Sequence, residues 1–238
     1  MQMQSRNNAG LMAAALTVLL CACSPQGEGG AAPLVPPSGA DPGAAKAADP
    51  GGAVTTAGRP APVYQEGASG VAVGPIAGTR VSHDFQRDYL ASPTWKLFAP
   101  PDSVGTPLVA LVLDGSDRLT AGELRIGRSD DAAAIKTCLE MPAEAAGPAG
   151  AATVDIGGVP FTHFTVGDAA MSHYVNAESY RAVHDGGCYA IDLVVAGTRP
   201  EVYDPPRTPP FTQEEAASRL AEALKAVYWL LDPPHLRC

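Results

Sequence analysis

The chain has 238 residues, but its 25 Gly and 23 Pro are unevenly spread, so the foldable part is shorter than the length suggests. With 46% hydrophobic and 17% charged residues it matches neither a highly charged disordered chain nor a polytopic membrane protein. A net charge of -9 with no Lys/Arg cluster excludes nucleic acid as the main partner, because phosphate binding needs a basic face.

The first ten residues carry one positive charge, Arg6, and no acid, and a mostly apolar run follows from Leu11 to Leu20. That run is about half the length a membrane-spanning helix needs, and the arrangement is that of a signal peptide. It ends in Leu20-Cys21-Ala22-Cys23-Ser24, which resembles the lipobox of bacterial lipoproteins: an aliphatic residue, then a small residue directly before the cysteine to be modified. Cys23 fits that position. Modification at Cys21 would place bulky Leu20 where the family carries Gly, Ala or Ser. The resemblance implies removal of residues 1–22, a diacylglycerol thioether and further acylation such as palmitate on Cys23, and membrane attachment through that lipid. It also implies residence in the cell envelope, and Ser24 as second mature residue implies the outer membrane, facing the periplasm or the surface.

Residues 23–70 read as a disordered tether. About two-thirds of the residues from Pro25 to Pro62 are Ala, Gly or Pro, with no aromatic side chain, so little apolar area is available to offset ordering entropy. Such a spacer reaches on the order of 35 Å. Residues 71–238 then form a single globular domain holding both Trp and all Phe residues.

Within this domain, the Tyr89 to Phe98 stretch is punctuated by Pro93 and Trp95, and Leu108 to Leu113 reads as an apolar strand before an Asp114-Gly115 turn. Gly122 to Gly127 alternates like a hairpin partner. Ser129 is placed to cap a helix from Asp130 to about Met141, stopped by Pro142, and residues 143–152 form a loop. Three strands follow, Val159 to Val166, Ser172 to His184 and Cys188 to Val195, separated by Gly167-Asp168 and Asp185-Gly186. A Pro-rich connection from Thr198 to Pro210 leads to a helix opened by Thr212 and Glu215, whose apolar stripe is Leu220, Leu224, Val227, Tyr228 and Leu231.

This order predicts an α+β domain: an antiparallel sheet flanked by helices. It resembles the PsbP-like fold, an α/β/α sandwich, through the element order, Tyr89, Pro93-Thr94-Trp95 and the closing helix. The resemblance implies a non-enzymatic binding or assembly factor. In the Asp185-Gly186 hairpin, Tyr189, Ile191, Leu193 and Val195 share one face, the seat expected for the last helix, and Cys188 points to the other. Asp192 and Arg181 on that second face predict that it is covered only near the hairpin end.

Of the cysteines beyond Cys23, Cys138 and Cys188 sit in predicted elements and are the expected disulfide; free thiols or pairing with the terminal Cys238 are the alternatives. No CxxC occurs, which weighs against an oxidoreductase or a zinc knuckle. His163, His173 and His184 fall on the three-stranded meander. A three-residue loop would set His163 opposite His173, where they could share a cation, whereas a two- or four-residue loop pairs His163 with Tyr174. Nothing fixes a third ligand, so no metal or cofactor is expected. No Gly-x-Ser-x-Gly elbow is present, and no residue is assigned to catalysis. His184-Asp185-Gly186 reads as a type I′ turn.

The connection from Arg199 to Phe211 has five prolines, and its Tyr203, Arg207 and Phe211 are types that anchor interfaces; it reads as a stiff crossover or as a partner-binding loop. The function expected is therefore a membrane-anchored envelope lipoprotein with a non-catalytic binding domain for an unidentified protein or envelope component. The alternative is an envelope hydrolase or metal-dependent enzyme built on the meander histidines, which would need two or more of His163, His173, His184, Asp185, Asp192 and Glu201 to converge. The lipid assignment has a direct check. Metabolic labelling with a fatty-acid analogue is expected to vanish in Cys23→Ala and persist in Cys21→Ala; the opposite pattern would move the lipid to Cys21.

Overall fold

The computed structural model describes residues 60–67, 70–86, 88–146 and 152–230. The chain divides into Met1–Ala53 and Val54–Cys238, and only the second unit contains described residues. The signal segment, Cys23, most of the tether, Leu231 and Cys238 lie outside them.

Three consecutive strands build the centre, two that alternate in burial and a third that is buried throughout: β8 (Val159–Ala170), β9 (His173–His184) and β10 (Gly187–Thr198). The turns between them contain two residues each, Met171-Ser172 and Asp185-Gly186, all with positive φ, the backbone that matches strand twist in a tight hairpin. β10 also pairs with β5 (Ala121–Ser129), which continues to β4 (Thr106–Leu113) and β3 (Thr79–Ser82). On the other side β6 (Ala145–Ala146) and β7 (Ala152–Ile156) both pair with β8. The result is an eight-stranded antiparallel sheet. A three-stranded sheet joins β1 (Tyr64–Gln65), β2 (Val71–Val73) and β11 (Val227–Trp229).

The expected α+β domain, an α/β/α sandwich of the PsbP-like kind, is overturned. Among the described residues strand accounts for 44% and helix for 12%, with two α-helices. α1 is Ala132–Lys136, five residues capped by Asp131 rather than Ser129, because the Ser129 hydroxyl donates to the Val104 carbonyl. α2 is Gln213–Leu224, opened by Thr212, whose hydroxyl accepts from the Glu215 amide. The predicted stripe breaks after Leu224, since Val227, Tyr228 and Trp229 pair with β2. Gly167-Asp168 is not a turn; β8 runs through it to Ala170. The folded body starts ahead of Val71, since Tyr64 and Gln65 pair with Val73 and Ala72.

The two faces of the main sheet are covered differently. Leu124, Ile126, Tyr189, Ile191 and Leu193 form a core with Ala216, Leu220 and Ala223 of α2 and with Val71, Val73 and Val227 of the small sheet. The opposite face carries an irregular strap, residues 83–86 and 88–105, that docks Phe85, Ala91, Trp95 and Leu97. α1 touches this face beside Trp95, where Cys138 forms a disulfide with Cys188 at a Cα separation of 5.6 Å. The strap lies so close that a Cβ on Gly127 would stand 1.8 Å from the Trp95 carbonyl oxygen.

A strap without a ladder must pair its buried backbone groups some other way. Three charged side chains do so, Glu123, Arg125 and Asp192, with Arg181 as the counter-ion of Asp192, and all four are at most 4% exposed. Arg125 donates to the Ser92 and Gln86 carbonyls and pairs with Glu123, which also accepts from the Gln86 amide. Asp192 accepts from the Leu97 amide and the Ser179 hydroxyl and pairs with Arg181 at 2.8 Å. The expectation that Asp192 and Arg181 mark an uncovered area is thus corrected: they are partners of the cover.

Two outcomes test this architecture. Replacing Cys138 and Cys188 together with Ala should lower unfolding free energy by up to about 4 kcal/mol, since the bond closes a separation of 50 residues. Undiminished stability in denaturant titrations would show that packing alone holds α1. Burial outweighs Arg125 and raises the Glu123 pKa. A raised carboxyl pKa means stability is lost as pH rises from the ordinary carboxylate range through the raised value. Melting curves between about pH 4 and 8 should therefore show wild type falling relative to Glu123→Gln as pH rises; a rise would make Arg125 the dominant influence.

Candidate functional site

α2 packs over β10, β5 and β4, and this placement leaves the same face of β8 and β9 without a helix above it. Along the line where the helix ends its cover, a cleft of about 390 Å³ opens. Leu193, Val195 and Ala217 give it apolar walls, and Thr165, Asn176, Glu178, Gln213 and Glu214 supply polar groups. A second cleft of about 420 Å³ adjoins it through Gly167, Asn176 and Gln213 and continues to Asp168, Tyr174 and Arg199. The Asn176 amide donates to the Gln213 carbonyl oxygen at 3.3 Å, linking sheet and helix between the two. Gly167 keeps the floor low, since a Cβ there would meet the Asn176 oxygen at 3.0 Å.

Three carboxylates, Glu178, Glu214 and Asp168, line the joined groove, against one guanidinium, Arg199. At its β8 end His163 shares a hydrogen bond with Glu178 and stacks on Tyr180 with ring centroids 4.7 Å apart. Burial, and then the Glu178 charge, raise the Tyr180 pKa, so the phenol remains a neutral donor or acceptor near neutral pH.

The meander histidines do not converge. The two-residue turn at Met171-Ser172 sets His163 opposite Tyr180, not His173 or Tyr174. His173 stacks on Tyr89 and shares a hydrogen bond with the Thr198 hydroxyl, while His184 meets Asp185 at 3.3 Å and the edge of Trp229. Along β9, His173 and Tyr180 are seven residues apart, roughly 23 Å at strand rise. Asp192 is buried under the strap on the opposite face, and Glu201 lies in a short 3-10 turn, Pro200–Val202. Among the described residues no three His, Cys, Asp or Glu side chains gather in a way that would hold a metal ion.

In the Pro-rich connection Phe211 is buried in the core with the Arg219 guanidinium 5.2 Å from its ring centroid, so it fastens the start of α2. Arg207 stacks on Tyr203 at 4.3 Å on the outside. Of the three predicted loop anchors, Arg207 is exposed, Tyr203 half-buried and Phe211 buried. Sequence reasoning missed the groove residues Glu178, Asn176 and Glu214, since only tertiary packing brings α2 beside β9. The alternation of Asn176, Glu178 and Tyr180 was the available sign that this face of β9 is partly uncovered.

No protein-family model matches the chain, and no curated protein matches it. Among the described residues no helix is long and apolar enough to cross a membrane.

Proposed function

We propose that the chain is a lipid-anchored envelope protein, attached to the outer membrane through Cys23, whose β-rich domain binds a basic segment of another envelope protein without performing chemistry on it. The observation that carries this reading is the groove between α2 and β8–β9, with apolar walls, two side-chain amides and an excess of carboxylates. Amides beside an apolar wall suit an extended polypeptide, whose backbone needs both donors and acceptors. Carboxylates at its margin favour Lys or Arg and steer their approach. The lipobox resemblance supports the anchoring half of the proposal, and the disulfide accords with an oxidising compartment.

A photocrosslinking residue at exposed Ala217, beside the groove, should capture one partner in intact envelopes, and the same residue at exposed Val183, on the opposite face, should not. Joint Glu178→Lys and Glu214→Lys substitution should abolish the adduct. Equal capture from Val183, survival of the adduct after charge reversal, or no adduct from Ala217 would overturn the proposal.

A further inference from the structure

A separate cleft of about 200 Å³ opens on the strap side of the main sheet, where the strap meets the chain that leaves α1. Lys96, Phe98, Thr137, Glu140, Met141 and Arg181 are among its walls, and none of them belongs to the groove.

Two cations share this space. The Arg181 guanidinium is 3% exposed and held by Asp192 and by the Tyr180 carbonyl, so its position is fixed and its charge balanced. Lys96 is half-buried, with its ammonium 5.0 Å from the Trp95 ring centroid, and among the described residues no carboxylate reaches ion-pair distance of it. Burial first, and Arg181 second, lower its pKa; Asp192 and Glu140 act more weakly in the opposite direction. An ammonium withdrawn from water beside a second cation is short of one negative charge.

Leu97, Phe98, Pro100, Met141 and Pro142 give the cleft an apolar wall beside polar Thr137 and Glu140. Phe98 holds φ at +53°, a left-handed conformation that a bulky residue keeps only where its surroundings impose it, and such constraint is concentrated at ligand sites. Met141 on the wall is 48% exposed. A cavity of about 150 Å³ takes a benzene ring, so one of this size has room for about six carbons and a carboxylate.

We infer that this cleft binds a small organic acid, with one carboxylate on Lys96 and an apolar body of about six carbons against Phe98 and Met141. Arg181 adds field without changing partners, and Glu140 on the wall selects against a second negative charge.

The test is a titration of the whole chain with sodium hexanoate at constant ionic strength, following the amide resonances of Lys96, Leu97 and Phe98. The expected result is a saturable shift confined to the cleft, weakened at least about tenfold in Lys96→Met and for neutral hexanamide, and retained in Lys96→Arg. Lys225→Met, which removes an ammonium already paired with Glu222, should leave binding unchanged. No saturation by about 20 mM, equal binding of hexanamide, or undiminished binding by a folded Lys96→Met chain would overturn the inference. Should Lys96→Met fail to fold, the hexanoate and hexanamide comparison in wild type decides the matter.

Discussion

Three buried charges, with Arg181 as counter-ion to one of them, hold an irregular segment against a sheet, and most of the architecture follows from that arrangement. A helix laid on a sheet satisfies its own backbone, but a strap cannot. Here Arg125, Glu123 and Asp192 provide the missing donors and acceptors from the strands beneath, at the Gln86, Ser92 and Leu97 backbone. The desolvation of four charges is costly and is offset only because each is paired and hydrogen-bonded as well. This explains how so much of the second face can be buried with one five-residue helix.

The other face obeys the simpler rule that apolar sheet surface needs an apolar cover. α2 supplies it over β10, β5 and β4, Trp229 of the small sheet covers Phe161 and Tyr189, and their limited width leaves Thr165, Asn176 and Glu178 of β8 and β9 beside the groove. The groove is thus a by-product of incomplete cover. The strap-side cleft has a different origin, at the junction between the strap and the chain leaving α1.

What was legible in the sequence was local. Asp185-Gly186 specifies its turn through positive φ, Thr212 caps α2, and Cys188 with Cys138 were the cysteines in predicted elements. Elements decided by distant partners were not legible. Gly167-Asp168 has turn composition, yet the ladder to Asn176 and Val175 carries β8 through it. Val227-Tyr228-Trp229 has strand composition, but the helical spacing from Leu220 and Leu224 concealed it until β2 was in place. The strap has no period at all, and its charged partners on β5, β9 and β10 looked like solvent-facing residues. The groove depends on where α2 lands, which no short-range pattern encodes.

Gly127 ties sterics to charge. The Trp95 carbonyl occupies the space that a methyl group would need, and Leu97, two residues along the strap, donates to Asp192 on the neighbouring strand. One added carbon on β5 would lift the strap and withdraw a hydrogen bond from a carboxylate that has no access to water. A size change would thus be felt as an electrostatic penalty one strand away. Among the described glycines this is the closest approach an added Cβ would meet, at a residue with no side chain to lose.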